Sequence, residues 1–201
     1  MESTSSNTDY KEFEERRAKF ARQVQRECIG ERYEGANFSL VRLHVEEDGK
    51  KIWEWIRGLN NFLVYLGSPG CGKTLFCAAM LDWVKNRVNT FRYYNEREFF
   101  ARVRRSMENA SGDYRDAIEY LTDDDLVIFD DLGSSGYTDW RKEVLFEFID
   151  LRYSSKKPTI ITSNLTRQDL IKAVGERGVD RLLASENKII ENFSGTSFRQ
   201  K

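Results

Sequence analysis

Short apolar runs alternate along this chain with longer segments in which apolar residues recur every three or four positions. Brief, mostly apolar runs separated by helical segments are typical of a parallel sheet covered on both faces, so the pattern predicts an α/β fold. The predicted strands are FLVYL (62–66), FRYY (91–94), LVIFD (126–130), TIITS (159–163) and KIIEN (188–192). The predicted helices cover 50–59, 74–88, 96–108, 114–121, 140–155, 167–175 and 176–184.

An amphipathic helix is predicted ahead of this alternating part, over residues 10–28. Large apolar side chains on a terminal helix must be buried somewhere, either on the edge of the domain or on a partner, and the sequence favours neither. Residues 1–9 are small and polar and are expected to be disordered. We therefore divide the chain into a polar tail with its helix (1–30) and a main domain (31–201). The apolar stripe of the helix consists of Tyr10, Phe13, Phe20 and Val24.

The composition excludes several classes of protein. The net charge of the 201 residues is −1, so any nucleic-acid binding requires a local basic patch. The chain has no apolar run near the ~18 residues of a membrane span, and its polar start differs from a signal peptide. Cys28, Cys71 and Cys77 form no CxxC pair, and His44 has no second histidine with which to bind a metal. We expect a cytoplasmic protein with no membrane contact.

The segment GSPGCGKT after the first predicted strand fits the pattern G-x-x-x-x-G-K-[ST] of a phosphate-binding loop. Its glycines allow successive backbone N–H groups to converge on a phosphate at the N-terminus of a helix. Lys73 would neutralise the β- and γ-phosphates of a nucleotide, and the Thr74 hydroxyl would ligate Mg²⁺. The predicted nucleotide-binding residues are Gly67, Ser68, Pro69, Gly70, Cys71, Gly72, Lys73 and Thr74.

Polar residues also follow two other predicted strands. LVIFDD places Asp130 and Asp131 where one carboxylate can hold Mg²⁺-bound water and the second can orient an attacking water. Asn164 follows TIITS, where an amide can position water near the γ-phosphate. Both features have an ordinary alternative, because Asp and Asn are common in turns after strands.

Two arginines lie on a predicted helix near the C-terminus. Arg177 and Arg181 are four residues apart and therefore share one helix face. They could contact a phosphate, or they could pair with Glu176 and Asp180 as solvated charges.

In this order, the segments GSPGCGKT, LVIFDDLG, KPTIITSNL and GERGVDRL, followed by SFR, resemble the AAA+ ATPases of the DnaC/DnaI helicase-loader type and the related IstB-type transposition ATPases. The resemblance covers about residues 31–201. It implies a P-loop three-layer sandwich with a five-stranded parallel sheet, and ATP with Mg²⁺ as cofactors. Only 37 residues follow Asn164, so the C-terminal helical lid of most AAA+ ATPases is expected to be missing.

The resemblance also implies slow ATP hydrolysis at sites that lie between neighbouring protomers. Many AAA+ proteins have glutamate where this chain has Asp131. The implied roles are Mg²⁺ binding through water for Asp130, general base for Asp131, first sensor for Asn164, trans-acting arginine finger for Arg181 with Arg177 as the alternative, and final sensor for Arg199.

The predicted helix 96–108 combines arginines with phenylalanines, and two tyrosines precede it. Arginines beside aromatic rings suit single-stranded DNA, because the phosphates take the charges and the bases stack on the rings. In initiator-like AAA+ proteins, an insertion in this part of the chain lines the DNA channel. The alternative is an ordinary amphipathic helix with at least one phenylalanine in the core. The predicted DNA-binding residues are Arg97, Arg102, Arg104 and Arg105.

These features together predict an ATP-dependent DNA replication protein, a helicase loader that self-associates and holds single-stranded DNA. The replicative helicase is the candidate protein partner. An IstB-type transposition helper differs mainly in its partner, which the sequence does not decide. Two further alternatives are a small-molecule P-loop kinase, whose arginine-bearing lid we do not find in the sequence, and a non-catalytic ATP-binding adaptor that acts through its N-terminal helix.

Overall fold

A five-stranded parallel sheet organises the computed structural model, which describes residues 3–41, 46–59, 61–109, 114–134 and 136–193. The strands are β1 (Phe62–Gly67), β2 (Phe91–Asn95), β3 (Leu126–Leu132), β4 (Thr159–Ser163) and β5 (Lys188–Asn192). Their order in the sheet is β2-β3-β4-β1-β5, and every neighbouring pair is parallel. The α/β fold with a five-stranded parallel sheet is therefore confirmed.

Seven α-helices occur in the described residues. The two helices predicted at 167–175 and 176–184 meet end to end within α7, which is kinked at Gly175, where φ is 72°. The first helix begins at Ser3 and so includes most of the segment that was expected to be disordered. The helices are α1 (Ser3–Val24), α2 (Glu46–Gly58), α3 (Lys73–Val84), α4 (Glu96–Asn109), α5 (Tyr114–Thr122), α6 (Asp139–Ser154) and α7 (Arg167–Leu182).

The two faces of the sheet bury separate apolar cores. Successive residues of β1 point to opposite faces, so that Phe62 and Val64 pack with α4 to α7, whereas Leu63 and Tyr65 pack with α1 to α3. All six residues of β1 are buried. Helices on both faces explain why the strands are continuously apolar rather than alternating.

The N-terminal helix is divided between the two expected roles. Ala21 and Val24 near its C-terminal end are buried in the core beside α3. The Arg17 guanidinium binds the chain just beyond α3, at the carbonyl of Lys85 (2.5 Å). Tyr10 and Phe13, in the N-terminal half, are 59% and 52% exposed. The C-terminal end of the helix thus packs on the domain edge, and docking on a partner stays a prediction for the exposed rings of Tyr10, Phe13 and Phe20.

The strand order places the candidate site. β4 lies between β1 and β3, so the loops that follow these three strands meet at the carboxyl edge of the sheet. The predicted phosphate-binding loop follows β1, the aspartate pair lies in β3, and Asn164 follows β4. Asn164 therefore lies between the other two groups.

Candidate nucleotide site

The phosphate-binding loop connects β1 to α3 and is built closely against β5. Gly70 and Gly72 have φ values of 85° and 98°, in the left-handed region that favours glycine. A Cβ on Gly67 would lie 2.5 Å from the carbonyl oxygen of Asn192. The Ser68 N–H donates to the same carbonyl at 3.0 Å. The glycines at 67, 70 and 72 are therefore required by the geometry of the loop.

Lys73, the first residue of α3, is 7% exposed and directed back into the loop. Its Nζ donates to the carbonyls of Gly67 (2.7 Å) and Ser68 (3.0 Å) and to Oδ1 of Asn164 (2.6 Å). It also lies 3.7 Å from Sγ of the buried Cys71. All of these partners are uncharged, so a phosphate oxygen would be a stronger acceptor for the ammonium group.

Asp130 is buried beneath the loop, with 4% exposure. One carboxylate oxygen accepts the Tyr93 hydroxyl at 2.8 Å, and the other accepts the Thr162 hydroxyl and lies 3.7 Å from Sγ of Cys77. Burial and the Asp130 charge raise the pKa of the Tyr93 hydroxyl and the pKa of the Cys77 thiol. Both groups therefore remain protonated donors to Asp130.

Thr74 lies one turn before Cys77 on α3, and Cys77 contacts Asp130. A hydroxyl and a carboxylate are the hard oxygen ligands that Mg²⁺ prefers, and Mg²⁺ is usually held by one or two carboxylates together with phosphate oxygens. Among the described residues there is no cluster of three or more histidine, cysteine, aspartate or glutamate side chains that could bind a metal unaided. The donor set fits Mg²⁺ that arrives with a nucleotide.

Asp131 and Asn164 connect the aspartate pair to the loop lysine. The Asn164 Nδ2 donates to Oδ1 of Asp131 at 2.6 Å, while Oδ1 of the same amide accepts from Lys73 at 2.6 Å. The Asp131 backbone has φ 63° and donates its N–H to Oγ1 of Thr162 at 3.0 Å. The structure thus brings Lys73, Asn164 and Asp131 into one hydrogen-bonded chain.

Three polar residues at this site carried no recognised signal in the sequence. Thr162 and Tyr93 bind Asp130, and the Glu96 carboxylate accepts the Gly133 N–H at 2.7 Å. Thr162 has the pattern of an ordinary strand residue, and the sequence offers Tyr93 only as a ring beside the predicted DNA helix. The position of Glu96 directly after β2, at the carboxyl edge of the sheet, was the available signal.

Arg181 lies far from this group within its own chain. It is in the last turn of α7, which returns from the carboxyl edge of the sheet and leads to the start of β5. Its guanidinium pairs with Asp150 of α6 at 2.6 Å and lies 5.0 Å from the ring centre of Phe146. Arg181 therefore pairs with a residue of another helix, and not with Glu176 or Asp180 as the alternative interpretation of the sequence proposed. Arg177 is exposed, and Arg199 lies outside the described residues.

The predicted DNA helix, α4, presents its four arginines to solvent but not its aromatic rings. Arg102 pairs with Glu98 at 2.7 Å, and Arg104 lies 5.0 Å from the ring centre of the half-buried Trp140. The aromatic residues Tyr93, Tyr94, Phe99 and Phe100 are each at most 5% exposed. A core position for the phenylalanines is confirmed, and base stacking on these four rings is wrong. The arginines Arg97, Arg102, Arg104 and Arg105 remain predicted DNA contacts.

The chain is similar in sequence to a family of known proteins. Residues 48–201 match the sequence profile of the IstB-like ATP binding proteins. The chain belongs to this family. This confirms the ATP-binding assignment and the IstB-type resemblance seen in the sequence motifs.

Individual relatives agree with this family. The replicative helicase loader DnaC of Escherichia coli K12 is 23% identical over 196 residues, which cover 94% of this chain and 80% of the relative. The crystal structure of the DnaC helicase loader matches with a TM-score of 0.66 and 23% identity, over 81% of this chain and 99% of that one. The replication initiator DnaA bound to AMPPCP and single-stranded DNA matches with a TM-score of 0.64 and 19% identity, over 76% of this chain and 48% of that one. Among the described helices, none is both long and apolar enough to cross a bilayer.

Proposed function

We propose that this IstB-family protein is an ATP-dependent DNA replication protein of the helicase-loader type, which hydrolyses ATP slowly at sites completed by a neighbouring copy. The observation that carries the proposal is the hydrogen-bonded chain from Lys73 through Asn164 to Asp131. It joins the phosphate-binding lysine to the candidate general base through an amide that can also bind water.

In this mechanism the loop N–H groups and Lys73 bind the β- and γ-phosphates, since Lys73 exchanges its carbonyl partners for phosphate oxygens. Thr74 and Asp130 would hold Mg²⁺, which supplies charge neutralisation between the phosphates when bound. Asn164 orients the attacking water, and Asp131 accepts a proton from it as the water oxygen bonds to the γ-phosphorus and the bond to the β–γ bridging oxygen breaks.

The position of Arg181 supports completion of the site in trans. Arg181 lies at the opposite end of the sheet from Lys73, so it cannot reach the nucleotide of its own chain, and in this proposal it acts on the nucleotide of an adjacent copy. Its pair with Asp150 is partly exposed, so the guanidinium is accessible to a neighbouring molecule. Arginine fingers of this kind contribute ~10³–10⁵ in rate, which explains why an isolated protomer should hydrolyse ATP slowly.

Single-stranded DNA is the proposed nucleic-acid ligand. The exposed arginines of α4 supply phosphate contacts, and the half-buried ring of Trp140 lies beside Arg104. DnaA, which shares this fold, has been solved with single-stranded DNA. With a net charge of −1, each protomer should bind DNA weakly, so binding depends on assembly and on salt.

The protein partner is proposed to be the replicative helicase, because the DnaC relatives are helicase loaders. The exposed rings of Tyr10 and Phe13 on α1 are the candidate docking contacts. The family match equally favours an IstB-type transposition helper, in which a transposase takes the place of the helicase. Capture of purified helicase by the full chain, compared with a variant in which Tyr10 and Phe13 are replaced by serine, separates these two partners.

The test of the proposed activity is ATP turnover per protomer across a protein concentration series, with and without single-stranded DNA. We expect turnover to rise with concentration and again with DNA, and to disappear in Asp131→Asn. Turnover that is independent of concentration would exclude completion in trans. Absence of turnover in every condition, with normal ATP binding, would make the protein a nucleotide-bound adaptor.

A further inference from the structure

Glu96 is a buried carboxylate beside the candidate site that the mechanism above does not use. It is the first residue of α4 and is 3% exposed. Its Oε1 accepts the Gly133 N–H at 2.7 Å, and its Oε2 accepts the Ser134 hydroxyl at 3.1 Å. A buried carboxylate is unfavourable unless it is hydrogen-bonded, and here both oxygens bind the turn that follows β3.

The turn bound by Glu96 contains Asp131, the candidate general base. Asp131 and Gly133 both have left-handed backbones, with φ values of 63° and 85°, and the Ser134 N–H donates to the Asp131 carbonyl at 3.2 Å. A left-handed backbone is unfavourable for a residue with a side chain and persists where its surroundings fix it. Glu96 binds two of the four residues of this turn, and Thr162 binds a third.

The same carboxylate belongs to the helix that carries the predicted DNA contacts. Glu96 begins α4, and Arg97 follows it directly, with the other exposed arginines further along the same helix. A rigid helix links these positions to the turn through the two Glu96 hydrogen bonds. The arginines and the backbone that orients Asp131 are therefore connected through one helix and one side chain.

We infer that Glu96 is a positioning residue that holds the Asp131 turn in place for hydrolysis and couples this turn to DNA bound on α4. This role rests on the proposed ATPase function. Glu96 binds the turn after β3 rather than the loop after β1, so its loss should lower kcat without a matching loss of ATP affinity.

The experiment compares wild type, Glu96→Ala, Glu96→Gln and Ser134→Ala by kcat, by KM and by binding of a fluorescent ATP analogue, each with and without single-stranded DNA. For Glu96→Ala we expect kcat to fall about tenfold or more and the stimulation by DNA to be mostly lost, with ATP affinity within about threefold. Glutamine can accept from Gly133 and donate to the Ser134 hydroxyl, so Glu96→Gln should restore most of kcat. The kcat of Ser134→Ala should lie between those of the wild type and Glu96→Ala.

Glu108→Gln is the matched control, because it removes an exposed carboxylate from the same helix and should leave kcat unchanged. If Glu96→Ala does not fold, Ser134→Ala decides, and wild-type kcat and wild-type stimulation by DNA in that variant overturn the inference. Wild-type behaviour of Glu96→Ala, or equal losses of kcat and ATP affinity, overturns it as well. A wild-type chain that never hydrolyses ATP overturns the proposed function and this role together, whereas hydrolysis that is insensitive to Glu96→Ala overturns this role alone.

Discussion

Each end of the sheet has a buried cation that donates hydrogen bonds to backbone carbonyls, Lys73 at the carboxyl end and Arg152 at the amino end. At the carboxyl end Lys73 donates to backbone carbonyls and to an amide. At the amino end Arg152 is 1% exposed and donates to the carbonyls of Thr122 (2.8 Å) and Asp124 (2.6 Å) and to the Thr159 hydroxyl (2.9 Å). Burial lowers the pKa of Arg152 to about 10, and neighbouring aspartates partly offset that effect.

The difference between these two cations lies in their surroundings. Arg152 is enclosed by the end of α6 and the starts of β3 and β4, so its partners are fixed by the fold. Lys73 borders a loop in which Pro69 is exposed, and its partner Asn164 is exposed as well. A buried cation on carbonyl oxygens is therefore structural where the fold encloses it, and available to a ligand where a loop opens to solvent.

A second arginine at the amino end sharpens this comparison. Arg181 forms an ion pair with Asp150, and its side chain is 29% exposed. Such a pair contributes little to stability, about 0–1 kcal/mol. We therefore expect Arg181 to act on another molecule and Arg152 to act on its own fold.

The largest expected effect is that of Arg181→Ala on ATP turnover. Turnover in the assembled state should fall about 10³-fold because the neighbouring site loses its arginine, while ATP binding should remain within about threefold. The measurement is turnover per protomer at high protein concentration, beside equilibrium ATP binding. Arg177→Ala, one turn earlier on α7, is the matched control and should lower ATP turnover much less. Equal losses of binding and turnover would instead assign Arg181 a structural role.

Arg152→Met should mainly lower the free energy of unfolding. Several buried carbonyls and the Thr159 hydroxyl lose their donor, so we expect a loss of about 3–5 kcal/mol by urea denaturation. Lys142→Met, on the outer surface of the same helix, should change stability by less than about 0.5 kcal/mol. If Arg152→Met kept its stability but lost ATP affinity, the contrast between the two ends of the sheet would be wrong.

Lys73→Ala should lower ATP affinity much more than it lowers the free energy of unfolding. ATP affinity should fall about 100-fold, because the loop loses its phosphate-binding charge, while the free energy of unfolding changes by about 1 kcal/mol or less. Calorimetric ATP titration and urea denaturation on the same preparation provide both values. A stability loss as large as that of Arg152→Met would show that Lys73 is also part of the structural framework.

The smallest effect is expected on the DNA surface. Arg104→Ala with Arg105→Ala should weaken binding of single-stranded DNA about tenfold and reduce the slope of log affinity against log salt by about 1.4, since two phosphate contacts are lost. Fluorescence anisotropy at several salt concentrations measures both quantities. The control Arg115→Ala removes an exposed arginine from the neighbouring helix. An unchanged salt slope in the double variant would remove α4 from the DNA surface.

Local patterns in the sequence were enough for the elements and for the loop. The five strands, the phosphate-binding loop and the aspartate pair follow from apolar runs and from turn residues next to each other in the chain. The same reasoning failed for Phe99 and Phe100, because arginines and rings on one helix look alike whether the rings face DNA or the core. Only the packing of α4 on β2 and β3 shows that both rings are inside.

The sequence by itself determined the fold class and the presence of a nucleotide loop, because periodicity and glycine positions act over a few residues. Tertiary structure decided which distant groups meet. The position of β4 between β1 and β3 brings Asn164 to both Lys73 and Asp131, and the return of α7 places Arg181 at the opposite end of the sheet. These relations depend on strand order and helix direction, which are set by burial of both sheet faces across the whole chain rather than by any short segment.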